Sequence, residues 1–372
     1  MNDEKGTVVL IGNHYIVIYN FRKELIRRLL AEKYRVVVLM PCTEEVERIR
    51  QLGCEVIDVP VDRRGMNPVK DGRLFLQYRK LLKKLSPKVV LTYTIKPNIY
   101  GGLACRTLRL PYICTVTGLG KAIEEGGFMR RMLLTMYKVA LKRAGKVFFQ
   151  NESNQAVFAG ADIGGKRYGL VKGSGVNLLE FSMQSYPAQT APIRFIWVAR
   201  IAKMKGIDIF LEAAEKVKTK YPDTEFQVLG FIEEDYREKM ACYEQRKIID
   251  YQGMQQNVLP YLKESQCLIL PSEAEGMSNA CLEAAAAGRA LIASDVPGCR
   301  ECITDGVTGY LIRPGNVTDL IEKIEKFITL PYNERKHMGE MGRQKMENEF
   351  SREDVVDAYM QDIQRMTAKN KK

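Results

Sequence analysis

Two carboxylates and two cations in the C-terminal half carry the first sign of chemistry. Glu275 and Glu283 lie in the run Pro271-Ser272-Glu273-Ala274-Glu275-Gly276-Met277-Ser278-Asn279-Ala280-Cys281-Leu282-Glu283. An apolar stretch ends at Leu270, small residues follow, and a helix is expected to begin near Asn279, a good N-cap type. The start of such a helix offers unsatisfied N–H groups and the positive end of its dipole, which suits a diphosphate. Carboxylates in the turn and on the helix can accept hydrogen bonds from sugar or ribose hydroxyls. Taken alone, they could equally be a capped turn and a solvated glutamate. Arg200 and Lys205 leave a strand and precede a helix, beside Gly206. Strand-end cations next to a glycine fit a phosphate clamp that neutralises a departing diphosphate. The plainer alternative is a pair of surface cations.

The elements that must position these groups repeat along the chain. The 372 residues suit two domains better than one core. Short, almost continuously apolar runs at Val8–Ile11, Val36–Leu39, Val56–Val59, Val89–Leu91, Ile113–Val116 and Val147–Phe149 read as strands covered on both faces. Helical patterns such as Phe75–Leu85 and Met129–Arg143 lie between them, and a first helix is expected from near Asn20. The alternation pauses over 172–193, which holds Gly173, Gly175, Pro187 and Pro192 and reads as a hinge or linker. It resumes with strands at Phe195–Val198, Phe226–Leu229, Ile248–Tyr251, Cys267–Leu270 and Ala290–Ala293, and with helices at Ile207–Lys218, Asn279–Ala287 and Val317–Ile328. The expectation is an α/β protein of two Rossmann-like, doubly wound parallel-sheet domains, residues 1–175 and 176–350. A helix and tail, 351–372, would pack back on the first domain. Ligands of such folds collect at the carboxyl ends of the strands, here in a cleft between the halves.

Composition narrows the function. A formal net charge of +12 predicts anionic company: nucleotide phosphates, an anionic membrane or nucleic acid. No recognition helix, zinc finger or aromatic RNA-binding strand accompanies that charge, so nucleic acid is not expected as a partner. The nine cysteines are scattered and odd in number, which speaks against a disulfide framework and for a reducing compartment. Cys299-Arg-Glu-Cys302 has no second pair to complete a zinc site and is read as structural. The polar start is no signal peptide, and no apolar run approaches the ~18 residues of a span. A cytoplasmic protein with at most peripheral membrane contact is expected. No D-x-D occurs, so no metal is expected on a donor diphosphate, and protein cations must take its place.

Glu275 and Glu283, spaced E-x7-E, together with Arg200 and Lys205, resemble the donor half of glycosyltransferase family 4. Its members are retaining enzymes of the two-Rossmann GT-B fold. The stretch Ser294–Glu301, then Asp305, Gly306 and Gly309, is similar to the same half. The resemblance implies a nucleotide sugar as co-substrate, a UDP-sugar above others, and no cofactor. It implies that Arg200 and Lys205 touch the donor diphosphate, Glu275 the transferred sugar and Glu283 the ribose. Backbone around Gly276, Met277, Ser278 and Asn279 would meet phosphate and sugar, and Gly230, after the strand ending at Leu229, joins this donor set.

The first half resembles a narrower subgroup, through Ile18–Arg22, Thr94–Gly101, Val116–Gly120, Gln150–Asn154 and Gly173–Asn177. Those enzymes assemble bacterial capsule, O-antigen and N-glycan on undecaprenyl diphosphate, N-acetylgalactosaminyltransferases among them. The resemblance implies a polyprenyl-diphosphate-linked saccharide as acceptor. The family's glycine-rich first loop is reduced here to Gly12-Asn13-His14-Tyr15, and Thr117 stands near where its catalytic histidine would be sought. Gly12 and Asn13 end the first strand. Lys96 follows the fourth and could meet an acceptor phosphate, and Gly118 lets backbone approach a ligand. Over Met129–Arg143, a helical wheel groups Arg130, Arg131, Lys138 and Lys142 on one side, a face suited to the anionic inner surface of the cytoplasmic membrane. A sugar-nucleotide 2-epimerase of the same fold is the alternative enzyme.

Overall fold

The computed structural model describes residues 5–62, 67–120, 123, 126–233 and 235–369. Two compact units emerge. One comprises the chain up to Ser174 together with Glu353 onward, and the other is Gly175–Arg352.

The first unit carries seven strands, β1 (Thr7–Ile11), β2 (Arg35–Met40), β3 (Glu55–Asp58), β4 (Val89–Tyr93), β5 (Tyr112–Val116), β6 (Lys146–Phe149) and β7 (Tyr168–Leu170), in the order β3-β2-β1-β4-β5-β6-β7. Every pairing is parallel, with Val8 opposite Val36 on one side and Val89 on the other. β4 and β5 are buried along their whole length, β1 and β2 in all but their first residue, and each face of the sheet is covered by its own apolar cluster. Parallel strands with both faces covered have no solvent side to alternate with, hence their unbroken Val/Ile/Leu sequences.

The second unit holds β8 (Arg194–Val198), β9 (Glu225–Leu229), β10 (Asp250–Tyr251), β11 (Cys267–Leu270), β12 (Ala290–Ser294) and β13 (Gly309–Ile312), ordered β10-β9-β8-β11-β12-β13 and again all parallel. In each unit the strand order reverses beside the first strand, between β1 and β4 and between β8 and β11. Open parallel sheets bind ligands at the carboxyl ends of such strand pairs, where the connecting helices diverge to opposite faces.

The helix Arg352–Lys369 packs in the first unit. Tyr359 lies 4.8 Å from the Phe148 ring, its hydroxyl is 2.6 Å from Thr115 Oγ1, and Val355, Met360 and Ile363 are buried alongside.

Several expectations shift. The first helix spans Tyr15–Ala31, not a start near Asn20, because His14 caps it: its Nδ1 accepts from the Ile16 N–H. The segment expected as a linker is tied down over most of its length. The buried Arg289 donates to the carbonyls of Gln184 and Ser185, and Arg343 to that of Phe181. The sequence pattern also missed the helix Tyr332–Glu349, whose buried face consists of Met338, Gly339, Gly342 and Met346.

Candidate functional site

The loops after β8 and β11 are pressed together at the reversal of the second sheet. Gly206, at φ +74°, closes the turn Lys203–Lys205, and a Cβ there would stand 2.0 Å from the Pro271 carbonyl oxygen. Only glycine allows this approach. The Glu273 N–H completes it by donating to Met204 O at 3.0 Å. Lys205 is thereby delivered to the β11 loop, where its Nζ sits 2.6 Å from Glu275 Oε1. Ser272, fully buried, donates its hydroxyl to the same oxygen at 3.0 Å. Side chains of Lys205 and Glu275 are 14% and 11% exposed, so this pair is largely withdrawn from water but still reachable.

The helix Asn279–Ala286 starts one residue later than its cap. Ser278, not Asn279, is the N-cap: its side chain accepts from Cys281 N, and its own N–H donates to Gly298 O at 2.8 Å. Asn279 is the first helical residue, and its buried Oδ1 has no hydrogen-bond partner among the described residues. Glu283 is the fifth residue of this helix and half-buried. Gly276 lies in the turn between Glu275 and the cap, and Met277 is buried beneath it against Cys302, whose thiol lies 3.8 Å from the Met277 sulfur. Cys281, Cys299 and Cys302 are buried under this loop. A hydrogen bond with Cys281, reinforced by burial, holds the thiols of Cys299 and Cys302 well above the ordinary range. Among the described residues no group of His, Cys, Asp and Glu is arranged to hold a metal ion.

Arg200 occupies the other side of the β8 end and bonds Glu233 through Nη1. Gly230 brings the β9 loop here: at φ +145° a Cβ would fall 1.7 Å from the Ala199 carbonyl oxygen. Backbone bonds from Ile201 N to Phe231 O and from Glu233 N to Ile201 O then run the two loops side by side. Two cations, each already facing a carboxylate, and one helix N-terminus thus share the carboxyl ends of β8, β9 and β11.

Residues 180–345 match the family described as glycosyl transferases group 1, and residues 8–151 the one described as glycosyl transferase 4-like. The chain is a family 4-like glycosyltransferase. It is 29% identical over 324 residues to an N,N'-diacetylbacillosaminyl-diphospho-undecaprenol α-1,3-N-acetylgalactosaminyltransferase of Campylobacter jejuni, covering 82% of this chain and 85% of that one. The Staphylococcus aureus capsular polysaccharide biosynthesis glycosyltransferase CapM is 23% identical, over 82% and 84% of the two chains. Among solved structures, the sucrose-phosphate synthase of Thermosynechococcus elongatus superposes with a TM-score of 0.79 at 17% identity over 98% and 99% of the two chains. HepE of Anabaena in complex with UDP-glucose gives 0.78 at 14% identity over 95% and 98%. The fold is therefore GT-B.

On the first unit of the transferase, Gly12, Lys96, Thr117 and Gly118 follow β1, β4 and β5, three neighbouring strands that include the reversal. Asn13 lies between Gly12 and the capping His14. Lys96 is occupied in this state: its Nζ lies 2.7 Å from Asp71 Oδ1, both side chains being largely buried. Burial, aided by the Asp71 carboxylate, pushes the neighbouring Tyr100 phenol above its ordinary range. Just before Lys96, Thr94 adopts φ +72°, a conformation that a β-branched residue holds only under constraint from its surroundings.

The basic helix spans Gly127–Leu141 and buries Leu133, Tyr137, Ala140 and Leu141. Arg131, Lys138 and Lys142 are exposed, and Phe128 and Val139 are exposed on the strip of helix beside them. Arg130 stands at the margin of this cationic side. It follows the helix about 100° away from Arg131, and it is only partly exposed.

Sequence reasoning missed Glu233, Ser272 and Asp71, the groups that hold Arg200, Glu275 and Lys96. Ser272 and Asp71 carried no separate signal. Glu233 lay in the acidic run after β9, and the adjacency of β9 to β8 could have pointed to it.

Proposed function

We propose that the chain transfers a hexose or N-acetylhexosamine from a UDP-sugar to a polyprenyl-diphosphate-linked saccharide, in bacterial surface-glycan or glycoprotein-glycan assembly. The observation that carries the reading is the Lys205–Glu275 pair, seated where the sheet order reverses and beside a helix N-terminus. The lipid-linked acceptor named for the Campylobacter relative supports the acceptor class.

In this reading the donor diphosphate lies against the helix start at Ser278–Asn279. Lys205 has three N–H donors and gives one to Glu275, so others remain for phosphate oxygen. Arg200 brings its fork from the β8 side. As the C1–O bond to the diphosphate lengthens, positive charge grows on the sugar ring and negative charge on the leaving oxygen. Both cations and the helix dipole stabilise that leaving charge, and they are already in place before the reaction. Glu275, fixed by Ser272 and Lys205, takes up a sugar hydroxyl, and Glu283 the ribose. The acceptor oxygen bonds C1 on the face the diphosphate leaves, with retention, and the departing phosphate takes the acceptor's proton. No metal is required, since protein cations carry the charge. Gly12, Asn13, Lys96, Thr117 and Gly118 serve the acceptor on the first unit. The face of Arg131, Lys138 and Lys142 holds the enzyme peripherally on an anionic cytoplasmic membrane surface, and nucleic acid is no partner.

The decisive experiment incubates purified protein with a panel of UDP-sugars and short polyprenyl-diphosphate saccharides and identifies the product linkage by NMR. Acceptor-dependent UDP release with an axial donor anomer retained is expected. UDP release that ignores the acceptor, or an inverted product, refutes the reading.

A further inference from the structure

At the C-terminal end of the basic helix the first unit opens a pocket of about 520 Å³. Its walls carry Arg106, Lys138, Lys142 and Arg167 against one carboxylate, Asp162. The two arginines are fixed by backbone. Arg106 Nη1 donates to Val139 O at 2.9 Å, and Arg167 Nη1 to the carbonyls of Lys142 and Ala144 at 2.9 and 3.0 Å. Arg167 Nε is spent on Gly164 O at 3.1 Å. Backbone bonds thus hold both guanidinium groups in place, and Arg167 keeps its Nη2, Arg106 its Nε and Nη2, as charged donors for a phosphate oxygen. Lys138 meets Asp162 at 3.1 Å, but both are well exposed, so this ion pair is solvated and readily exchanged. The pocket also takes in Gly165, where a Cβ would meet nothing within 4 Å.

We propose that this pocket binds the phosphate of an anionic phospholipid headgroup. The proposal rests on the membrane reading above and gives it a specific site. A phosphate site for a small soluble ester has no need of apolar neighbours, yet Val139 lines this pocket and is 43% exposed. Phe128, 78% exposed, lies three helical turns back on the same face, within about 20° of Val139. Apolar side chains flanking a cationic pocket on one helix face match the boundary between headgroups and acyl chains. Charge complementarity favours an anionic headgroup over a zwitterionic one: four cations stand against one carboxylate.

The test uses the full chain and two soluble probes, dihexanoyl phosphatidylglycerol and inorganic phosphate, with the Gly165 amide resonance as readout. Flotation with phosphatidylcholine vesicles, with and without phosphatidylglycerol, runs in parallel. Val139→Trp fills the pocket without altering charge. It should weaken the short-chain lipid by about tenfold or more while leaving salt-dependent flotation on anionic vesicles. Lys142→Gln, a surface change that folding should tolerate, should weaken the lipid about fivefold. Inorganic phosphate should shift the same amide only at far higher concentration. Unchanged lipid affinity in both variants overturns the pocket, even where the wild type floats. Equal affinity for inorganic phosphate makes it a free-anion site and overturns the lipid assignment. Failure of the membrane reading is seen separately, as a wild-type protein that does not float with anionic vesicles, and that result takes the lipid assignment with it.

Discussion

Lys205 has two possible employments, to neutralise Glu275 or to hold the donor diphosphate, and a double-mutant cycle separates them. Lys205→Met keeps the apolar stem and removes the charge. The partners are 2.6 Å apart and only 14% and 11% exposed, with Ser272 the other group on the carboxylate. Breaking a fully buried pair from one side costs about 3–5 kcal/mol, and at this residual exposure about 2–3 kcal/mol is expected. For a unit of this size that lowers Tm by roughly 5–10 °C. Loss of one transition-state partner adds a kinetic cost of about 2.7–4 kcal/mol, or 10²–10³ in kcat. The assay measures UDP affinity by calorimetry and transfer rate in the wild type, Lys205→Met, Glu275→Gln and the double variant. A lysine that serves only Glu275 has nothing left to do once that residue is glutamine, so the double variant would equal Glu275→Gln. A clamp predicts that Lys205→Met still lowers UDP affinity about tenfold or more in the glutamine background. Equal UDP affinity in the two glutamine variants refutes the clamp.

Four further outcomes follow from the same geometry. Arg200→Ala should cut kcat by about 10²-fold or more, and near-normal turnover in a folded variant would remove Arg200 from the reaction. Activity should survive EDTA, with complete loss rescued by Mg²⁺ or Mn²⁺ as the contrary result. Glu275→Gln should lower kcat and loosen donor-sugar choice, whereas Glu283→Gln should chiefly raise donor KM; identical kinetic effects would undo the separate roles. Changing Arg131, Lys138 and Lys142 to Glu should abolish flotation with anionic vesicles, since each basic group near the surface contributes about 1 kcal/mol. Reversal of Arg130 alone should have little effect, and a flotation loss from it equal to the triple change would show that the exposed face is misassigned.

The sheet interiors were legible because both faces are buried, so β1, β2, β4, β5, β8, β11 and β12 read as unbroken apolar runs. Two of the four edge strands, β7 and β13, were not. β7 is Tyr-Gly-Leu with partial exposure, and β13 opens on a glycine. The first helix was placed late because its opening turn, Tyr-Ile-Val-Ile, is β-branched and looks like strand. Tyr332–Glu349 hid because two of the four residues on its buried face are glycines, set against Gly288 and Ala285, which leaves only Met338 and Met346 to mark an apolar stripe. At the site, the cations and carboxylates could be named from type and spacing. Their partnerships could not: Lys205 and Glu275 meet only because β8 lies beside β11, a neighbour relation that local sequence does not encode. On the basic helix, Arg130 stands at the margin of the cationic side because successive residues are about 100° apart.

The return of the helix Arg352–Lys369 to the first unit makes that unit discontinuous in the chain. On the ribosome its seven strands emerge first, yet Tyr359, Met360 and Ile363, which cover one face of that sheet, come last. At about 5–20 residues per second, synthesis of the intervening stretch takes on the order of ten to forty seconds. During that interval the nascent first unit shows Phe148 and Tyr93 without their Tyr359 cover, while Gly175–Arg352, continuous in sequence, can finish folding as it appears. The protein therefore matures in the reverse of its reading order, and the half synthesised first is the one most in need of chaperone protection.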